Sequence, residues 1–159
     1  MKEFLIDYSK GNELNNFWRF YRKRETSSGI LRSLYTFLMC RSATKHGGYV
    51  GPGARLSDIP SLPHGLHGVY ISRYASIGKN CRIYQNVSIG EVDGQAPCIG
   101  NNCLIGAGAV LVGGIRIGDN VKIGAGAVVS EDIPDNCTVV SVKPRVIGRS
   151  LQDDRRNLP

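Results

Sequence analysis

Histidine is the only side chain whose unperturbed pKa lies close to neutral pH. This sequence has three, and two of them, His64 and His67, fall within the short run Leu62–Gly68. An imidazole in a loop suits the work of a general base, taking a proton from a hydroxyl as that oxygen attacks. His46 lies apart and is assigned no chemistry. Of the five cysteines, none forms a CxxC pair. Cys81 and Cys103 recur at the small-residue place of the repeat described next, so they read as small hydrophobes rather than nucleophiles. A histidine-bound metal needs several converging ligands. From Ile71 onward the chain has no histidine, so no metal is expected.

The elements that must hold this loop are visible as a period. From Ile71 an aliphatic residue returns every six positions, at Ile71, Ile77, Ile83 and Ile89. After a ten-residue step it resumes at Ile99, Ile105, Leu111, Ile117, Ile123 and Val129. Glycine follows directly in six of these ten cases, and in nine of them a small or aliphatic residue stands four places on. Helices repeat near 3.6 and strands near 2, so a period of six fits neither. It fits a solenoid in which one short strand makes a side and one turn makes a corner, with the aliphatic pointing inward. Three sides close one coil, and coils stack as parallel strands about 4.8 Å apart. Val50, Leu56 and Leu62 extend the frame upstream. Two insertions interrupt it, around His64–Gly68 and within Glu91–Pro97, and such interruptions are where function tends to sit. The expected fold is a left-handed parallel β-helix over residues 48–140, of four to five coils, after a helical segment over 1–47 and before a C-terminal segment and tail over 141–159.

Within the helical segment, residues 12–43 read as two helices, with Ser28 capping the second. Their apolar stripe (Trp18, Tyr21, Ile30, Leu31, Leu34, Tyr35, Leu38) is expected on the base of the β-helix or on another subunit rather than on a membrane. The chain has 159 residues and a formal net charge of +7, which favours anionic partners. Its basic residues cluster in Arg19–Arg24 and Lys143–Arg156. The opening residues lack the apolar run of a signal peptide, and an odd number of cysteines suits reduced thiols, so a cytoplasmic location is expected.

The run IGAGAVLVGGIRIGDNVKIGAGAVVSEDIPDN resembles the hexapeptide-repeat acetyltransferases. The segment GLHGVYISRYASIGKNCRIYQNVSIG, with LPH at Leu62–His64, resembles the serine acetyltransferase branch and its small relatives of capsular polysaccharide synthesis. The resemblance covers about residues 48–148. It implies a homotrimer with active sites in the grooves between neighbours, acetyl-CoA as co-substrate, and acetyl transfer to serine or to a sugar hydroxyl. It gives His64 the role of general base. His67 is a candidate for acceptor binding, with Asp58 as a substitute orienter and Gln85 one coil above. The aspartate and the second histidine of serine acetyltransferases fall on Tyr49 and Ala96. Ala107 and Ala125 match small corner residues beside the pantetheine arm, Ser130 follows in register, and Lys143 and Arg145 match the segment that meets the CoA phosphates. No nucleic-acid partner is expected. A non-catalytic trimeric scaffold is the alternative.

Overall fold

The computed structural model describes residues 14–143 and Ile147. Among the described residues two helices, α1 (Asn15–Glu25) and α2 (Gly29–Lys45), lead into thirteen two- or three-residue strands. The strands fall into three parallel sheets, one for each side of the prism. The first sheet stacks β1 (Tyr49–Val50), β3 (Tyr70–Ile71), β6 (Ser88–Gly90), β9 (Val110–Val112) and β12 (Val128–Val129). The second stacks β2 (Arg55–Leu56), β4 (Ser76–Ile77), β7 (Cys98–Ile99) and β10 (Arg116–Ile117). The third stacks β5 (Arg82–Ile83), β8 (Leu104–Ile105), β11 (Lys122–Ile123) and β13 (Thr138–Val139). The fold is the left-handed parallel β-helix that the period of six predicts.

Register explains the pattern. The inward aliphatics pair in columns, Val50–Ile71–Ile89–Leu111–Val129 on the first sheet and Ile83–Ile105–Ile123 on the third. Each of these residues is almost completely buried, as are the small residues four places on, such as Ala75, Val87 and Ala109. Deleting a branched side chain from this narrow interior leaves a void that rigid neighbouring coils do not fill. Ile105→Ala is therefore expected to cost about 2–5 kcal/mol, measured by urea unfolding.

Corners carry the rest of the specification. Asn80, Asn102, Asn120 and Asn136 all take left-handed φ, between 55° and 59°. Their side chains form a ladder up one edge, each Nδ2 donating to the Oδ1 of the next coil at 3.0–3.2 Å. Asparagine tolerates this conformation better than most residues because its short amide bonds locally. The insertion at Glu91–Pro97 closes on itself as a tiny hairpin. Val92 and Gln95 exchange backbone hydrogen bonds around Asp93 (φ 51°) and Gly94 (φ 77°). Two consecutive positive φ values are the type I′ turn that an Asp-Gly pair favours.

One expectation for the helical segment needs correction. Ser28 stands at the N-cap of α2 with extended backbone, but its side chain makes no capping hydrogen bond. Gly29, at φ 54°, turns the chain between the cap and the helix proper. The predicted apolar stripe also divides. Tyr21 packs against the prism and its hydroxyl donates to the Ala54 carbonyl, while Met39 and Ala43 bury the inner face of α2. Ile30, Leu31 and Leu34, by contrast, are exposed on its outer face.

Candidate functional site

The loop that carries both histidines is built around one apolar anchor. Leu66 is wholly buried, filling the interior where the chain leaves the frame. Backbone bonds brace it on both sides: Gly65 N–H to Leu62 O, Val69 N–H to Leu66 O, and Gly68 N–H to Gly47 O, at 2.8–3.0 Å. Gly68 has φ 66°, and a Cβ there would collide with the Asn86 side chain. His64 and His67 flank the buried leucine, and both side chains are exposed. The His64 ring stands 5.9 Å from the Tyr84 ring, centroid to centroid, tilted by 46°.

Above this loop the corner between the third and first sheets rises as a column of backbone hydrogen bonds. Asn86 N–H donates to His67 O, Gly108 N–H to Gln85 O, and Gly126 N–H to Ala107 O, at 2.9–3.0 Å. His67, Gln85, Ala107 and Ala125 therefore occupy successive coils of a single edge. At about 4.8 Å per coil, this edge runs some 14 Å from the histidine loop to Ala125. Ala107 is partly exposed and Ala125 exposed, so the upper edge offers a smooth strip without large side chains. Gln85 contributes the one buried side-chain acceptor, its Oε1, that lacks a hydrogen-bond partner among the described residues.

Other candidates lie elsewhere. Ser130 follows β12 on the first sheet and turns toward the second, one edge away from Ala107 and Ala125. Asp58 follows β2, before the segment that leads to the histidine loop, and its Oδ1 accepts the Ile59 N–H at 2.7 Å. Gln85 stands above Leu66 and His67, while Tyr84 is the residue of that coil whose ring meets His64. Lys143 is exposed; Arg145 lies outside the described residues. Tyr49, at the expected aspartate position, pairs with Tyr70, and Ala96 packs partly buried against the core.

Two cations outside the expected set stand on the third sheet. Arg82 and Lys122 project from the outer face of the third sheet and line a shallow pocket there with Ser61, Asn80 and Asn102. The frame held the signal, since each immediately precedes an inward isoleucine and so must point out. Cys81 and Cys103 stack inside the same side of the prism, 1% exposed. Both thiols are free and donate to backbone carbonyls, Cys81 to Gly100 O at 3.2 Å and Cys103 to Gly118 O at 3.1 Å, and the hydrogen-bonding proximity of Cys81 together with burial pushes the Cys103 pKa up, which keeps it protonated.

Residues 99–131 match the family described as Bacterial transferase hexapeptide (six repeats). With the triangular coils and the bare corner, this defines a hexapeptide-repeat protein. More narrowly, the chain is serine acetyltransferase-like. It is 46% identical over 105 residues to the serine acetyltransferase of Synechococcus elongatus, covering 64% of this chain and 43% of that protein. It is 39% identical over 119 residues to the Staphylococcus epidermidis serine acetyltransferase, covering 69% and 55%. The crystal structure of Neisseria gonorrhoeae serine acetyltransferase in complex with serine superposes with a TM-score of 0.70 at 36% identity, covering 82% of this chain and 54% of that one. The chain thus spans about half the length of the relatives it matches.

Proposed function

We propose that the protein is an O-acetyltransferase that moves an acetyl group from acetyl-CoA directly to a hydroxyl of a small acceptor, serine or a sugar of a surface polysaccharide. The observation that carries this reading is the single edge that joins the histidine loop, at its foot, to the bare alanine corners above it. A pantetheine arm lying along Ala107 and Ala125 brings a thioester down to His64. His64 takes the acceptor's hydroxyl proton, and the oxygen forms its bond to the acetyl carbon. The carbon–sulfur bond then breaks, and the proton passes to the CoA sulfur. Holding both substrates on one rigid edge supplies the orientation such a reaction needs.

The homotrimer belongs to the same proposal. The outward column of the first sheet, Tyr49, Tyr70, Ser88, Val110 and Val128, carries no charge, and Tyr70 and Val128 are more than half exposed. A second copy against this face lines one wall of a groove at the candidate edge. Lys143 and Arg145 are assigned to the CoA phosphates, with Arg82 and Lys122 as further cations for that groove. Five free cysteines accord with a reducing, cytoplasmic setting. Among the described residues no helix is long and apolar enough to cross a membrane.

The acceptor is decided by assay. Thiol release from acetyl-CoA, followed with serine and with a panel of hexoses and N-acetylhexosamines, is expected to rise above background with one of these classes. No release with any acceptor favours the scaffold reading. Tyr49 and Ala96 remove two polar groups that the resemblance expects around serine, which keeps sugars in the panel. Replacing Lys143 and Arg145 by alanine together is expected to raise the KM for acetyl-CoA about tenfold with kcat little changed, the mark of lost ground-state binding. Steady-state kinetics at two salt concentrations check it, because phosphate contacts weaken with ionic strength.

A further inference from the structure

The face of α2 turned away from the prism is open among the described residues. Met39 and Ala43 bury the inner face, yet the outer face presents Ile30, Leu31, Leu34 and Phe37 at 89%, 58%, 48% and 61% exposure. Positions 30, 34, 37, 41 and 45 follow helical spacing, so Arg41 and Lys45 continue this stripe toward the C-terminal end of the helix. Beside it a groove of about 380 Å³ has Phe20 and Leu38 in its walls and Arg41 and Lys45 among its lining residues.

Charge separates this hairpin from the described β-helix. Residues 14–47 carry seven lysines and arginines against Glu25 alone, a net of +6, whereas residues 48–143 carry seven cations and seven carboxylates. The whole excess over the described β-helix therefore sits on the two helices that bear the exposed apolar stripe. We propose that α2 is a membrane-contact element. Ile30, Leu31, Leu34 and Phe37 enter the headgroup–acyl boundary of a bilayer that contains anionic lipid, and Arg41 and Lys45 meet the lipid phosphates. A 17-residue helix lying in the interface buries its apolar side without spanning, and surrounding cations add electrostatic attraction to anionic lipid. The placement makes sense for an enzyme whose acceptor is held at a membrane, but it does not depend on the acetyl-transfer reading.

Charge also argues against a second copy as the occupant. Packing one hairpin on another sets like charges together, and α2 has no carboxylate to offset them. The uncharged outward column of the first sheet is the better self-association face.

The test is co-sedimentation of the full chain with vesicles of phosphatidylcholine alone or with phosphatidylglycerol added, at low and physiological salt. Light scattering after size exclusion reports the mass in solution. The wild type is expected to pellet with phosphatidylglycerol vesicles and to stay in solution with phosphatidylcholine. The pair Leu34→Ser and Phe37→Ser is expected to weaken partitioning about tenfold or more, and so, separately, is the pair Arg41→Gln and Lys45→Gln. Circular dichroism and mass stay unchanged in both. The charge pair keeps the apolar stripe intact, so it remains informative if the serine pair fails to fold. Absence of binding to anionic vesicles overturns the proposal, as does wild-type binding by the charge pair. A change of mass in the serine pair assigns the stripe to a second copy instead.

Discussion

His64→Ala is expected to lower kcat for acetyl transfer by about a hundredfold to ten-thousandfold, the range over which a positioned general base contributes. The KM for acetyl-CoA is expected to move little, because Ala107 and Ala125, the corners proposed for the acyl donor, lie on higher coils of the same edge. The melting temperature is expected to stay within about two degrees of wild type, since surface substitutions away from structural features usually cost less than about 0.5 kcal/mol. That separation rests on the build of the loop. Leu66 and the backbone bonds around it hold the conformation, while the His64 ring is exposed and rests beside Tyr84. His67→Ala, on the same anchored loop, is expected to act mainly on the acceptor's KM. If His64→Ala retains activity within a few-fold of wild type, the base is another group and the mechanism falls.

The second large effect is on stability. Gly106→Val is expected to destabilise the protein by about 3 kcal/mol or more. A Cβ at this position stands 2.6 Å from the Ala125 nitrogen, 2.8 Å from the Ile123 oxygen and 2.9 Å from the Gly124 carbonyl carbon. All three are backbone atoms of the next coil, fixed by the ladder that joins β8 to β11, so none gives way. A loss of this size corresponds to a fall in Tm of about 6–12 °C for a chain of this length. Gly108, two residues on, makes the control. Its φ is 69° and nothing lies within 4 Å of an added Cβ. Gly108→Asn is expected to cost less than about 1 kcal/mol, because asparagine already adopts this conformation at the same corner one coil below, at Asn86. Thermal unfolding of the pair separates close coil packing from mere turn preference. Equal losses at both positions contradict the account.

Much of this was legible in the sequence. Six-residue spacing fixes which residues point inward, and every aliphatic from Ile71 to Val129 in that frame is buried. The same count says only that two residues hold equivalent places on some side of the prism. Sharing an edge requires the full coil, and that is where the candidate site divided. Gln85, Ala107 and Ala125 each stand two places after a third-sheet isoleucine and so line up. Ser130 stands one place after a first-sheet valine and turns a different corner. Asp58 has carboxylate chemistry, but its Oδ1 accepts the backbone N–H of the next residue, a local bond that spacing does not reveal. Which side of α2 meets the prism was not legible, for a different reason. A helix apolar on several sides gives no periodic signal for which side meets the core, and here Met39 and Ala43 won that place over Leu31 and Leu34.

The central claim is that the edge from the histidine loop to Ala125 is the track on which the acyl donor lies. A crystal structure with bound CoA tests it most directly. The account predicts the pantetheine chain along Ala107 and Ala125, in a groove completed by a second copy, with the sulfur ending near the His64 imidazole. CoA bound along either of the other two edges, or its sulfur far from that ring, contradicts it.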